Sequence, residues 1–209
     1  MLDKMSKIRI NTLIIFIFTL TTTGFAMAYE EPKYKIIKTY QEFEIRKYDD
    51  RLAVEIEYSN EDSGFRYLFK YIAGANTNSD KIKMTVPVTQ SVKIDMTTPV
   101  TQSVKNGKML MQFFLPSKFT LENAPQPTDK RVSLVVIKGG HYAVIKYSGR
   151  LTNQNYLKHY KKLENYLNNN EIDFTKPGIR ATYNGPFTLP FLRRNEIMMK
   201  ITFDEENNN

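Results

Sequence analysis

The chain has 209 residues, 41% apolar and 25% charged, which suits a soluble globular protein with one domain and a core of useful size. With no cysteine it can hold no disulfide, thiolate nucleophile, iron–sulfur cluster, Cys-ligated zinc or covalently attached c-type heme. The formal charge of +8 favours anionic ligands or surfaces, but the basic residues are scattered, so nucleic acid is not an expected partner.

Lys4, Lys7 and Arg9 precede a greasy stretch, Leu13 to Leu20, and Ala26-Met27-Ala28 offers the small-x-small pattern of a signal-peptidase site. That stretch is shorter than the ~20 apolar residues a transmembrane helix needs. Residues 1–28 therefore read as a cleavable signal peptide, with an uncleaved anchor in the inner membrane as the alternative. Cleavage would lower the net charge to +6, because Lys4, Lys7, Arg9 and Asp3 leave together. An exported chain without disulfides suits a bacterial periplasm, and no stable membrane anchor is expected after cleavage. Residues 29–203 are expected to form one domain, and 204–209, rich in Asn and Glu, a disordered tail.

Two similar stretches follow one another. Phe43–Tyr48, Asp49-Asp50 and Leu52–Tyr58 read as two strands around a two-residue turn. Val132–Lys138, Gly139-Gly140 and Tyr142–Tyr147 repeat the pattern, and Ala53-Val54 recurs as Ala143-Val144 at an offset of 90 residues. A helix is predicted after each. The first covers about Glu61–Ala73, capped by Asn60, Asp62 or Ser63 and ended by Gly74, with Phe65, Leu68, Phe69 and Ile72 on one face. The second covers about Asn153–Asn168, capped by Thr152, with Tyr156, Tyr160, Leu163 and Leu167 as its buried stripe. Strands at Met84–Val88 and Met109–Leu115 close the first half, and Ile179–Tyr183 and Ile197–Phe203 the second. Two pseudo-symmetric ββαββ halves predict an α+β fold, a distorted antiparallel β-barrel or sandwich flanked by two helices. Between the halves MTVPVTQSV (84–92) is repeated as MTTPVTQSV (96–104). Its prolines suit loops, edges or strand starts, so the segment reads either as a flap over a pocket or as a duplicated surface hairpin.

Catalytic constellations are scarce. His141 and His159 have no second histidine at metal-ligand spacing, and no nucleophile elbow, P-loop or dinucleotide fingerprint is present. Glu55 and Glu57 share one strand face, an arrangement that ordinarily marks a solvated side. Lys47 alternates onto the face of Phe43 and Ile45, which should point inward, so it either snorkels to a rim or meets an anionic group in a groove.

EIRKY (44–48), YIAGAN (71–76), KIKMTVPVT (81–89), MQFFLP (111–116) and PFLRRNEI (190–197) occur together and in order. This set resembles the SOUL/heme-binding protein family, in its bacterial exported branch. The resemblance implies non-covalent binding of heme or a related tetrapyrrole in an apolar groove beside the first helix. Phe65, Leu68, Phe69 and Ile72 would line the groove, with Lys70 and Lys47 as cations for the carboxylates. Where some members place an iron-ligating histidine inside EIRxY, this chain has Lys47, so that ligation is lost. The expected function is heme buffering or trafficking without catalysis. A binding module for other amphipathic ligands, or an enzyme acting on them, are the alternatives.

Overall fold

The computed structural model describes residues 30–77, 98–185 and 187–203. The signal-peptide reading, the Met84–Val88 strand, most of the 84–104 repeat and the 204–209 tail lie outside them. The chain order is β1 (Tyr34–Thr39), β2 (Glu44–Tyr48), β3 (Arg51–Tyr58), α1 (Glu61–Ile72), β4 (Asn76–Thr77), β5 (Val100–Lys105) and β6 (Lys108–Phe114). Then come β7 (Gln126–Pro127), β8 (Val132–Ile137), β9 (Gly140–Tyr147), α2 (Asn153–Asn169), β10 (Ile179–Thr182) and β11 (Asn195–Ile201). Among the described residues nine strands form one antiparallel sheet in the order β1-β2-β9-β11-β10-β5-β6-β3-β8, with β4 and β7 paired separately. The fold is α+β, and no ladder among these residues joins β8 to β1 to close a barrel.

Both helices begin where their caps predict. The Asn60 side chain accepts from the N–H of Ser63 and that of Thr152 from the N–H of Asn155, filling donors left open in the first turn. α1 lays Leu68, Tyr71 and Ile72 on β3, β6 and β8, against Val54, Ile56, Met111, Phe113 and Val132. Burying Leu68 and Ile72 contributes roughly 1.5–3 kcal/mol each. α2 lays Leu163 and Leu167 on β9 and β11, against Phe43, Ile45, Ala143, Ile145, Ile197 and Met199.

The pairing overturns the two expected hairpins. β2 pairs with β1 and β9, and β3 with β6 and β8; β2 does not pair with β3, nor β8 with β9. The chain instead continues extended through Asp49-Asp50 and through Lys138-Gly139. One register runs through the bend, from Glu44↔Val144 and Tyr48↔Gly140 to Arg51↔Ile137 and Ile56↔Val132. Thus 44–58 and 132–147 form a single long bent ribbon. Gly139 answers to this crossing rather than to a two-residue turn: a Cβ there would sit 2.3 Å from the Tyr48 carbonyl oxygen. Asp50 fastens the bend, accepting from the N–H of Gly139 at 2.9 Å and from Lys138 Nζ at 2.7 Å.

β1 and β5 were not anticipated. β1 is an edge strand with a register shift between Ile36 and Lys38 and largely exposed side chains, so it carries little hydrophobic signal. β5 lies in the second copy of the repeat, directly after Pro99, the strand-start position open to proline.

Candidate functional site

The first helix divides its apolar residues between two roles. Leu68 and Ile72 are wholly committed to the core and line no open groove among the described residues. Phe65 and Phe69, expected on the same lining, stand on a shoulder of α1 and stay 40% and 47% exposed. Their rings stack on each other at 6.1 Å with 15° between planes, and Phe65 packs edge-on against Phe113 of β6 at 5.2 Å. The actual core stripe is Gly64, Leu68, Tyr71 and Ile72. Gly64 is part of it because a Cβ would come within 3.0 Å of the Tyr58 side chain.

Lys70 does not border the phenylalanines. At ~100° per residue it lies about 100° around the helix from Phe69. It faces the opposite shoulder, where its Nζ is 5.9 Å from the Tyr67 ring centroid. There Tyr67, Lys70, Tyr71, Pro127 and Asp129 line a hollow of about 210 Å³. The cation one helical step from Phe69 on the solvent side is Arg66, which is exposed. Lys47 lies farther from this helix, on β2. It shares the face of Ile45, but that face belongs to the core under α2, and Lys47 itself is exposed at the end of β2.

The inward-pointing polar group of EIRKY is Arg46, which alternation places opposite Lys47. Arg46 and Glu196 are both fully buried and joined by two hydrogen bonds, Nη1 to Oε2 at 3.0 Å and Nη2 to Oε1 at 3.3 Å. Tyr183 donates its hydroxyl to Glu196 at 2.7 Å, and Arg194 Nε donates to it at 3.0 Å. Arg46 also holds Glu44, at 2.8 Å, and lies 4.3 Å over the Tyr34 ring. Burial works against the Arg46 charge, yet Glu196 more than offsets it and holds the guanidinium protonated. Burial pushes the Tyr48 hydroxyl up to about 12, so it stays a neutral donor and acceptor. EIRKY and RRNEI thus meet in one buried hydrogen-bonded network centred on Arg46 and Glu196.

The histidines are elsewhere. His159, on α2, stacks on Tyr147 at 4.4 Å, with Nδ1 2.8 Å from the Asn155 carbonyl. His141, on β9, packs beside Phe203 with ring centroids 5.6 Å apart. Neither lies on α1 or on the strands beneath it. Among the described residues no three His, Cys, Asp or Glu side chains gather in a way that could hold a metal ion. No described helix is long and apolar enough to cross a membrane. Glu57 binds Lys108 at 2.8 Å, and Glu55 accepts from Gln112.

A planar macrocycle fits this chain only in part. Of the hollows at α1 and at the β2–β3 bend, those of about 210 and 240 Å³ fall below the ~300–1,000 Å³ typical of sites for drug-sized ligands, and that of about 330 Å³ lies only at its lower end. The exposed Phe65–Phe69 pair could receive the flat face of a tetrapyrrole, with Arg66 for a carboxylate. An imidazole for its metal is not offered there. A second group of exposed apolar side chains, Phe187 (98% exposed), Leu189, Phe191 and Leu192, stands in the loop before β11, where sequence reading registered only a motif.

A family model described as SOUL heme-binding protein matches residues 29–200. Among solved structures, the EcmrR C-terminal domain superposes with a TM-score of 0.55 at 10% identity, covering 81% of this chain and 98% of that one. EcmrR in the EcmrR-DNA complex of EcmrR-RPo gives 0.52 at 9% identity, covering 96% and 69%. At such identities the likeness is one of fold alone. Among curated proteins no significant match was found. Since the matched range takes in the bent ribbon, both helices and the Arg46–Glu196 network, the chain belongs to the SOUL heme-binding protein family.

Proposed function

We propose that this protein is exported to the periplasm and binds heme or a related tetrapyrrole non-covalently, as a buffer or carrier without catalysis. The observation that carries the reading is the Phe65–Phe69 pair, two large rings left exposed and stacked on a helix whose other apolar residues are buried. Placing both in water leaves unburied apolar area that a flat hydrophobic ligand would cover. Leu68 and Ile72 support the surface from beneath, and Arg66 offers a charge-assisted hydrogen bond to a carboxylate. Lys70 would serve such a ligand only if it reached across the helix from the Tyr67 side. Binding of this kind rests on stacking and charge, with no histidine ligand to the metal from the helix. The reading also takes the fold as two related halves curled into a distorted barrel. The recurrence of Ala-Val at an offset of 90 and the unbroken register of the bent ribbon support it.

Hemin titration of the purified protein tests the proposal. A saturable Soret change is expected, weakened by at least about tenfold in Phe69→Asp, the equivalent of roughly 1.4 kcal/mol. Absence of saturation, or identical curves for the two proteins, rejects this site.

A further inference from the structure

Arg51, the first residue of β3, is a cation with no carboxylate partner among the described residues, in a place that penalises one. Its guanidinium lies 4.5 Å from the Tyr48 ring centroid and 4.4 Å from that of Phe114. Its Nε is buried and donates to no acceptor. Burial lowers its pKa, and the groups among the described residues that oppose that effect are Tyr142, Tyr48 and Tyr183, none of them a carboxylate. Arg46 and Arg194, in the same inner layer, both grip Glu196. A desolvated guanidinium is costly unless an anion completes it, and two aromatic faces offset only part of that cost.

Beside Arg51 opens a cleft of about 240 Å³, walled by Leu52, Phe114, Pro116 and Phe119. Acidic residues also line it, but most are engaged. Glu31 binds Arg194 at 3.0 Å, Glu30 Oε1 accepts from the N–H of Ser117 at 2.8 Å, and Asp50 is held by Lys138 and Gly139. Lys33 adds a second cation and Asp49 an exposed carboxylate. Three engaged acids, an uncompensated arginine and an apolar wall define the chemistry of an occupant.

We infer that the cleft at Arg51 binds a small carboxylic acid with an apolar body, its carboxylate on the Arg51 guanidinium and its body against Leu52, Phe114 and Phe119. The planar fork of arginine matches a carboxylate in two-pronged fashion, and charge-assisted hydrogen bonds of this kind are the strong ones. The volume selects an acid the size of benzoate or a short-chain aliphatic acid and leaves out a tetrapyrrole. This site is independent of the helix shoulder proposed for heme.

The probes are sodium benzoate and neutral benzamide, titrated into isotopically labelled protein at fixed ionic strength and followed by amide and Arg Nε–H resonances. Benzoate should give saturable shifts at Leu52, Phe114, Phe119 and the Arg51 Nε–H, and benzamide none. Arg51→Gln should weaken benzoate at least about tenfold, and Asp49→Asn, which removes a like charge from the cleft, should tighten it. Should Arg51→Gln not fold, Phe119→Ala serves instead, and it must lower benzoate affinity. Equal responses to benzoate and benzamide, no saturable shift with benzoate, or affinity unchanged in the arginine variant (or in Phe119→Ala) overturns the inference.

Discussion

Arg46 and Glu196 stand 150 positions apart in the chain, flank β9 from either side, and meet with neither side chain exposed to water. Tyr48, Tyr183, Arg194 and Glu44 fill the remaining hydrogen-bonding capacity of the pair. The network ties the first family motif to the last one, and so the start of the sheet to its end. A buried ion pair is weak evidence of net stabilisation, because desolvating both charges offsets most of their attraction. Breaking it from one side is another matter.

Arg46→Met is therefore expected to destabilise the protein by about 3–5 kcal/mol, since Glu196 is left buried and held only by Arg194 and Tyr183. The double variant Arg46→Met/Glu196→Met should recover a large part of that loss. Urea denaturation of the wild type, both single variants and the double variant measures the coupling. Additive losses would show that the two residues do not act as a pair.

The bent ribbon makes a second prediction. A methyl group at position 139 would meet the Tyr48 carbonyl at 2.3 Å and the Asp49 carbonyl carbon at 2.7 Å, and backbone there is pinned by ladders on both sides. Gly139→Ala should cost about 1–3 kcal/mol through this overlap. Gly185→Ala, where nothing lies within 4 Å, should leave the denaturation midpoint close to that of the wild type. Equal behaviour of the two variants would mean that the crossing has room to relax.

Much of this architecture was legible in the residues. Helix starts at Asn60 and Thr152, the strands around Val54 and Val144, and the Leu163/Leu167 stripe follow from local rules of capping and periodicity. What local rules cannot say is which strand pairs with which. Gly139-Gly140 has the composition of a two-residue turn, and only the tertiary crossing with Tyr48-Asp49 reveals that the glycine answers to steric contact instead. The site reading met the same limit. A 3.6-residue period puts Phe65, Leu68, Phe69 and Ile72 on one face, but the width of the covered stripe depends on how β3 and β6 sit beneath it. For Lys47, alternation gives the face it shares with Ile45 without saying which helix covers that face or where the cover ends. Arg51 gave no signal at all, since an arginine opening a strand is ordinarily solvated.

The division of α1 is open to direct measurement. Leu68→Ala should lose about 2–5 kcal/mol, because the residue is wholly buried among Val54, Phe113 and Val132. Phe69→Ala, at an exposed helix position, should stay within roughly 0.5 kcal/mol of the wild type. If Phe69→Ala proves as damaging as Leu68→Ala, its ring belongs to the core and is not available to a ligand.

The pH dependence has a local origin that can be isolated at Asp129. Two hydrogen bonds from the Arg131 side chain, at 2.6 and 2.8 Å, and one from its backbone N–H hold this carboxyl down from 3.8 to about 2. The folded state thus binds its proton less readily than the unfolded chain, so the contribution to stability is complete above the ordinary carboxylate range. It disappears as pH falls through the folded value near 2. Arg131 is anchored from the other side by the Tyr67 ring, 3.8 Å from its guanidinium, which limits the freedom that usually weakens an exposed pair. Arg131→Gln should return the Asp129 titration toward 3.8, seen in the side-chain carboxyl resonance, and flatten the fall in stability between about pH 4 and pH 2. An Asp129 resonance that titrates at the same pH with and without the Arg131 guanidinium would remove that arginine as the cause.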